Sequence, residues 1–310
     1  MGQTPIKMAV VGAGYFGSFH CQKMADLQGV ELTAIVDIDE SRATQAATRF
    51  NARPLTSHRD LIGQVDAAIV AVPTSRHYTV AAELLGGGLN LLVEKPLATS
   101  VAHADELCQL AAKQDLCLQV GHLERFNPIY IEATKRINQP KTIQMERCGP
   151  FPGRGGDVGV VLELMSHDLD ILLQMTTAAV KSVSASGESI FSKYLDQARA
   201  EIEFEDGLLA SLKTSRAASE ATRKFVVEDR DGLLEVDLGC HKLARTFSDN
   251  RSVKKDDLVL GASDTLLDQD RAFVDVLCNG HKPLVSGEAG KAAISLAMRI
   301  LECIHNGGAD

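Results

Sequence analysis

Short apolar runs alternate with segments of helical periodicity through the first third of the chain. Residues 8–11 form an unbroken apolar stretch ending in glycines, the pattern of a strand covered on both faces. A helix is predicted over 15–28, a strand rich in β-branched residues over 31–38, and a helix over 40–50 with Asp39 as its N-cap. Residues 67–72 give a third strand, closed by Pro73, and 75–85 read as a helix halted by Gly86-Gly87-Gly88. A strand over 90–93 ends in Glu94-Lys95-Pro96. Thr99 or Ser100 caps a helix to about Gln114, and 116–120 is another strand. This alternation predicts α/β architecture, a Rossmann-type doubly wound parallel sheet.

After His122 the pattern changes. A helix is predicted over 128–138, a strand over 141–148, a Gly/Pro loop over 150–156 and an amphipathic helix over 158–176. Residues 198–204 and 208–214 flank Asp206-Gly207, and 225–228 and 233–238 flank Asp231-Gly232, two hairpin signatures. The second half therefore reads as an α+β domain with a mostly antiparallel open sheet, closed by helices over 266–279 and 288–304. The expected division is a dinucleotide-binding domain over 1–122 and a substrate-binding and oligomerisation domain over 123–310. Ile202 and Phe204 alternate with Glu201, Glu203 and Glu205, which leaves one sheet face for a helix or a partner.

With 310 residues and 45% hydrophobic content, the chain holds enough apolar material for two cores. A net charge of -9 argues against broad binding to nucleic acid or an anionic membrane. Cys21, Cys108, Cys117, Cys148, Cys240, Cys278 and Cys303 are scattered, with no CxxC pair and no zinc spacing, as expected of reduced thiols. Residues 1–7 lack a basic start, and no run of apolar residues reaches membrane length. A cytoplasmic protein is the expectation.

Gly12-Ala-Gly14-Tyr15-Phe16-Gly17 is G-x-G-x-x-G between a predicted strand and a predicted helix. There the first glycine permits the tight turn, the second a close approach of a pyrophosphate, and the third helix–sheet packing. Amides at the helix N-terminus receive the phosphates. Asp37, at the end of the second strand, stands where a carboxylate binds the adenosine ribose, which favours NAD over NADP. Arg42 argues the other way, since an arginine nearby can hold a 2′-phosphate. Lys95 lies at the carboxyl end of a buried strand, where open α/β sheets place their ligands.

With the Val72-Pro73-Thr74 turn, His77 and a later Glu163-Leu-Met-Ser-His167-Asp-Leu-Asp170, these motifs resemble those of the glucose–fructose oxidoreductase / inositol dehydrogenase / MocA family. The resemblance runs from Lys7 to about Asn306. It implies cofactor contacts from Gly12, Gly14, Tyr15, Phe16, Gly17, Asp37, Pro73, Thr74, His77, Glu94 and Lys95. It also implies a catalytic pair, Lys95 with His167. The family pattern reads Asp-x-Gly-x-His-x-x-Asp, whereas this chain has Glu163 for the aspartate and Met165 for the glycine. At α-helical spacing Glu163 and His167 share a face, so Glu163 is expected to orient His167 or bind a neighbouring hydroxyl. Gly121-His122-Leu-Glu-Arg125-Phe-Asn127-Pro128 resembles the signature of a bacterial subgroup similar to UDP-N-acetylglucosamine 3-dehydrogenases. Arg125, Asn127 and Asp170 become candidate substrate contacts. For Arg125 and Asn127, hydrogen bonding at a domain hinge is the alternative. The 150–156 loop, with Arg154, reads as a lid or as a connection.

The implied activity is reversible oxidation of a sugar's secondary alcohol by NAD without a metal. C3 of a UDP-N-acetylhexosamine is the first expectation, and a free sugar or inositol the second. A non-catalytic regulator that senses NAD or a sugar is the alternative of another class. The resemblance also implies a homodimer or homotetramer.

Overall fold

A computed structural model describes residues 4–151, 157–249 and 252–307. In chain order the elements are β1 (Ile6–Val11), α1 (Tyr15–Asp26), β2 (Val30–Val36), α2 (Glu40–Phe50), β3 (Arg53–Leu55), β4 (Ala67–Val70), α3 (His77–Gly86), β5 (Asn90–Glu94), α4 (Val101–Lys113), β6 (Leu118–Gly121), α5 (Pro128–Thr134) and β7 (Thr142–Cys148). They continue with α6 (Ser166–Leu173), β8 (Val180–Glu188), β9 (Gln197–Phe204), β10 (Leu209–Ser215), β11 (Thr222–Asp229), β12 (Gly232–Asp237), β13 (Lys242–Asp249), β14 (Ser252–Val259), α7 (Thr265–Asn279) and α8 (Gly287–His305). None of the described helices is long and apolar enough to cross a membrane.

The chain divides into two compact units, Met1–Leu123 with Asp264–Lys291, and Glu124–Ser263 with Ala292–Asp310. The sequence reading gave 264–291 to the second domain; the fold gives it to the first. Tertiary contacts made there explain this. Val120 on β6 donates to Val285 O at 2.9 Å, and Phe273 of α7 joins the core of the parallel sheet. No local pattern in α7 announces that partner.

In the first unit six parallel strands run in the order β3-β2-β1-β4-β5-β6. Met8, Val10, Ile35, Ile69 and Leu92 pack against Cys21 and Met24 of α1 and Phe273 of α7. Strands so enclosed are apolar along their whole length, which is why β1 and β4 are legible as continuous runs. The order reverses between β1 and β4, and in such sheets ligands bind at the carboxyl ends beside that reversal.

The second unit is built on eight strands in the order β14-β13-β12-β11-β7-β10-β9-β8. All neighbours are antiparallel except β7 with β10. Its core joins Ile143, Phe204, Leu212, Phe225 and Leu234 to Leu169 and Leu172 of α6 and Ala297 and Ile300 of α8. The expected helix over 158–176 is different in kind. A π-helical turn, Val161–Met165, precedes α6. A π turn widens the helix locally, and such turns are frequent at functional sites. The hairpins around Asp206-Gly207 and Asp231-Gly232 form as β9–β10 and β11–β12. By contrast β14, with Lys254, Lys255, Asp256 and Asp257, carries no apolar alternation that would mark it as a strand.

Candidate active site

The glycine loop of the first unit follows β1. Gly12 has φ +101°, and a Cβ there would lie 2.5 Å from Ala71 O. At Gly17 a Cβ would fall 1.7 Å from Gly12 O. Both glycines are thus required by close backbone packing. Gly14 differs, because a Cβ there meets nothing within 4 Å. The backbone at Gly14 faces open space at the amino end of α1, a cradle suited to a pyrophosphate.

Asp37 completes this region. One carboxylate oxygen accepts from Ala13 N at 2.9 Å, and the other from Asp39 N at 2.9 Å and Arg42 Nη2 at 2.8 Å. Burial opposes its charge, yet Arg42 and the two amides outweigh burial and hold the carboxyl below its usual range. Arg42, the residue set against NAD in the sequence reading, is here bound to Asp37. Tyr15 and Phe16 are exposed; Tyr15 packs edge-on against Phe16 and Phe19 at ring distances of 5.6 and 4.8 Å. Ile38, beside Asp37, is 92% exposed, a large apolar residue the sequence reading passed over. The open cradle at Gly14 and the Asp37 carboxylate at the end of β2 together fit a dinucleotide.

Pro73 is exposed and Thr74 half-buried, at the turn after β4. The buried His77 ring lies 2.7 Å from Pro96 O and 2.9 Å from Val72 O, so it braces two turns. Lys95 is half-buried, directly follows β5 and is joined to Pro96 by a cis bond. Glu94, expected to meet the cofactor, instead directs its carboxylate onto His20 Nε2 at 3.1 Å. The other face of that ring meets Asp270 of α7, with Nδ1 3.0 Å from each carboxylate oxygen. Gly121 makes room for this, since a Cβ there would lie 2.7 Å from Glu94 Oε1.

In the second unit His167 stands half-buried on α6. Glu163 lies on the π turn, and its carboxylate accepts from Arg216 Nη1 at 2.6 Å. Arg216, a residue that no sequence motif marks, is thus a partner of Glu163. Arg216 is only 2% exposed. It also donates to Asp196 at 2.7 Å, Val158 O at 3.2 Å and Ser192 Oγ at 2.9 Å. Asp196 Oδ2 in turn accepts the amides of Ile190, Phe191 and Ser192. Burial opposes the Asp196 charge, but Arg216 and these amides drive its carboxyl well below the usual range.

Arg125 and Asp170 are paired with each other at 3.5 Å. The Asn127 amide is fully engaged: it caps α5 through Ile129 N and donates to Glu124 and Leu238 O. These bonds all lie within the second unit. Behind α6, Arg147 bridges Glu124 and Asp168 at 2.9 Å each. Burial opposes the charge on Glu124, and Arg147 with Asn127 overcomes it. Of the 150–156 loop, residues 152–156, Arg154 included, lie outside the described residues.

Residues 6–122 match the family model described as the oxidoreductase family, NAD-binding Rossmann fold, and 133–235 match the GFO/IDH/MocA C-terminal domain. Among curated relatives, UDP-N-acetylglucosamine 3-dehydrogenase of Acidithiobacillus ferrooxidans is 29% identical over 95% of this chain and 96% of its own length. The scyllo-inositol 2-dehydrogenase (NAD(+)) of Bacillus subtilis is 26% identical over 69% of this chain and 68% of its own. Among solved structures, UDP-N-acetylglucosamine 3-dehydrogenase GnnA from A. ferrooxidans superposes with a TM-score of 0.90 at 27% identity, over 97% of this chain and 98% of that one. The Lactobacillus casei scyllo-inositol dehydrogenase with bound NAD(H) and scyllo-inositol gives 0.84 at 19% identity over 99% and 98%, a likeness of fold. With both domains matched and the glycine loop built as described, the chain belongs to the Gfo/Idh/MocA family of NAD-binding oxidoreductases.

Proposed function

We propose that this enzyme oxidises the C3 hydroxyl of a UDP-N-acetylhexosamine with NAD. The observation that carries the reading is the placement of Lys95 at the carboxyl end of β5, in the same sheet as the open cradle at Gly14. The end-to-end likeness to a UDP-N-acetylglucosamine 3-dehydrogenase selects the substrate class. When bound, the dinucleotide supplies the two-electron acceptor. His167 removes the hydroxyl proton as general base. The Lys95 ammonium donates to the same oxygen and stabilises the developing alkoxide. Glu163, held by Arg216, fixes the turn that precedes His167. Arg125, oriented by Asp170, contacts substrate oxygens.

The test is NADH formation by purified protein with NAD and, in turn, UDP-N-acetylglucosamine, UDP-N-acetylgalactosamine, free N-acetylglucosamine, glucose and myo-inositol. Turnover of a UDP-sugar is the expected result. Turnover of free polyols alone would keep the chemistry and remove the nucleotide. Tight NADH binding without turnover on any of them would favour a sensor.

Asp37 makes NAD the expected cofactor, because a 2′-phosphate would meet its carboxylate. Asp37→Ser removes that charge and releases Arg42. The ratio of NADPH to NADH affinity, read by fluorescence titration, should then rise about tenfold or more. An unchanged ratio would refute this role for Asp37.

A further inference from the structure

His20 is a titratable group that the proposed chemistry does not use. It sits on α1, three residues past the last glycine of the loop. Its side chain and that of Asp270 have no exposed surface, and Glu94 has 8%. A fully buried imidazole touching two carboxylates, one of them adjacent in sequence to the substrate-facing lysine, calls for a reason.

Glu94 supplies it. Its Oε1 meets His20, and its Oε2 accepts from the Lys95 backbone N–H at 3.3 Å. A buried carboxylate without a counter-cation is strongly unfavourable and draws in whatever cation can reach it. The neighbouring cation in the chain is Lys95. We propose that His20 is a positioning residue for Lys95: anchored by Asp270, its ring occupies the Glu94 carboxylate and keeps that anion from capturing the lysine ammonium. This rests on the assignment of Lys95 as the cation that meets the substrate.

The charges around the ring agree. The groups facing it are Asp270 from α7 and Glu94 from β5, with Lys95 and His77 beyond Glu94. Burial works against a charged ring, but Asp270 and then Glu94 outweigh it and raise the His20 pKa from 6.5 to about 10. His20 is thus an imidazolium through the physiological range. Since its folded pKa is raised, its contribution to stability is complete below pH 6.5 and erodes as pH climbs towards about 10.

The test compares wild type, His20→Asn, and His20→Asn combined with Glu94→Gln. In His20→Asn the Glu94 anion is uncompensated. The kcat with NAD and UDP-N-acetylglucosamine should fall about 100-fold, while the NADH dissociation constant stays within about threefold. Its melting temperature should fall by about 10 °C. Adding Glu94→Gln removes the unpaired anion, so the double variant should regain at least about tenfold in kcat and most of the lost melting temperature. A merely structural histidine predicts that Glu94→Gln restores melting temperature without restoring kcat per folded molecule, and that result would overturn the proposal, as would near-wild-type kcat in folded His20→Asn. Lys95→Ala is the control. If it turns over normally, the assignment of Lys95 fails; if it is inactive while His20→Asn is fully active, only the positioning role fails. Should wild type not turn over this sugar, NMR of the lysine side chains decides it: the Lys95 ammonium signal should shift in His20→Asn and move back when Glu94→Gln is added, and an unmoved signal would overturn the proposal. Should neither variant fold, nitrogen NMR of wild type decides it. Both His20 ring nitrogens should remain protonated at pH 8.5, and a neutral ring there would sink the idea.

Discussion

Replacing His167 by alanine is expected to lower kcat for alcohol oxidation about a thousandfold while leaving NADH affinity unchanged. The proton on the reacting hydroxyl has to leave as the carbon loses its electron pair. With no base, water must take it at far lower effective concentration. Added imidazole should restore part of the rate in the variant. Lys95→Ala is expected to cost about 100- to 1000-fold in kcat, because the developing alkoxide loses its charged donor. Stopped-flow measurement of the reduction step separates both effects from product release. A His167→Ala enzyme that retained a tenth of wild-type kcat would exclude the general-base role.

The second large effect concerns stability. Arg216→Ala is expected to destabilise the second unit by about 3–5 kcal/mol, the usual consequence of stranding a buried charge. The charge stranded is Asp196, fully buried and held by Arg216 Nε at 2.7 Å. Glu163 loses its 2.6 Å partner at the same time. Arg216→Lys should recover little, because one ammonium cannot span Asp196, Glu163, Ser192 and Val158 O as the guanidinium fork does. Urea unfolding followed by circular dichroism reads this out, and a loss under about 1 kcal/mol would show the network to be dispensable. The acid limb carries the opposite sign to that of His20. Asp196 has a lowered folded value, so its contribution is complete above the ordinary 3.8 and is lost as pH falls below it. In Arg216→Ala that loss should shrink.

These two sites differ in how they could be found. His167 and Lys95 were legible because each sits in a local motif. Arg216 and His20 were not, since their partners lie far along the chain. Arg216 meets residues 53 and 20 positions away, and His20 meets residues 74 and 250 positions away. Cation and carboxylate of such pairs look like ordinary surface charges until folding buries both.

The sequence by itself determined the parallel sheet, the glycine loop, the hairpins of the second half and the motif around Lys95. All of these follow from short-range causes: apolar strands covered on both faces, glycines forced by backbone approach, and turn residues with fixed dihedral demands. Tertiary structure alone decided that Asp264–Lys291 returns to the first unit. It also decided that the Glu94 carboxylate meets His20, and that Asn127 bonds the distant Leu238 carbonyl. The π turn at Val161–Met165 is a further case. Its sequence has ordinary helical character, and the Arg216 that binds Glu163 there comes from 53 positions along the chain. Where a long-range partner satisfies a buried charge, periodicity carries no trace of it, because the energy lies in contacts rather than in propensity.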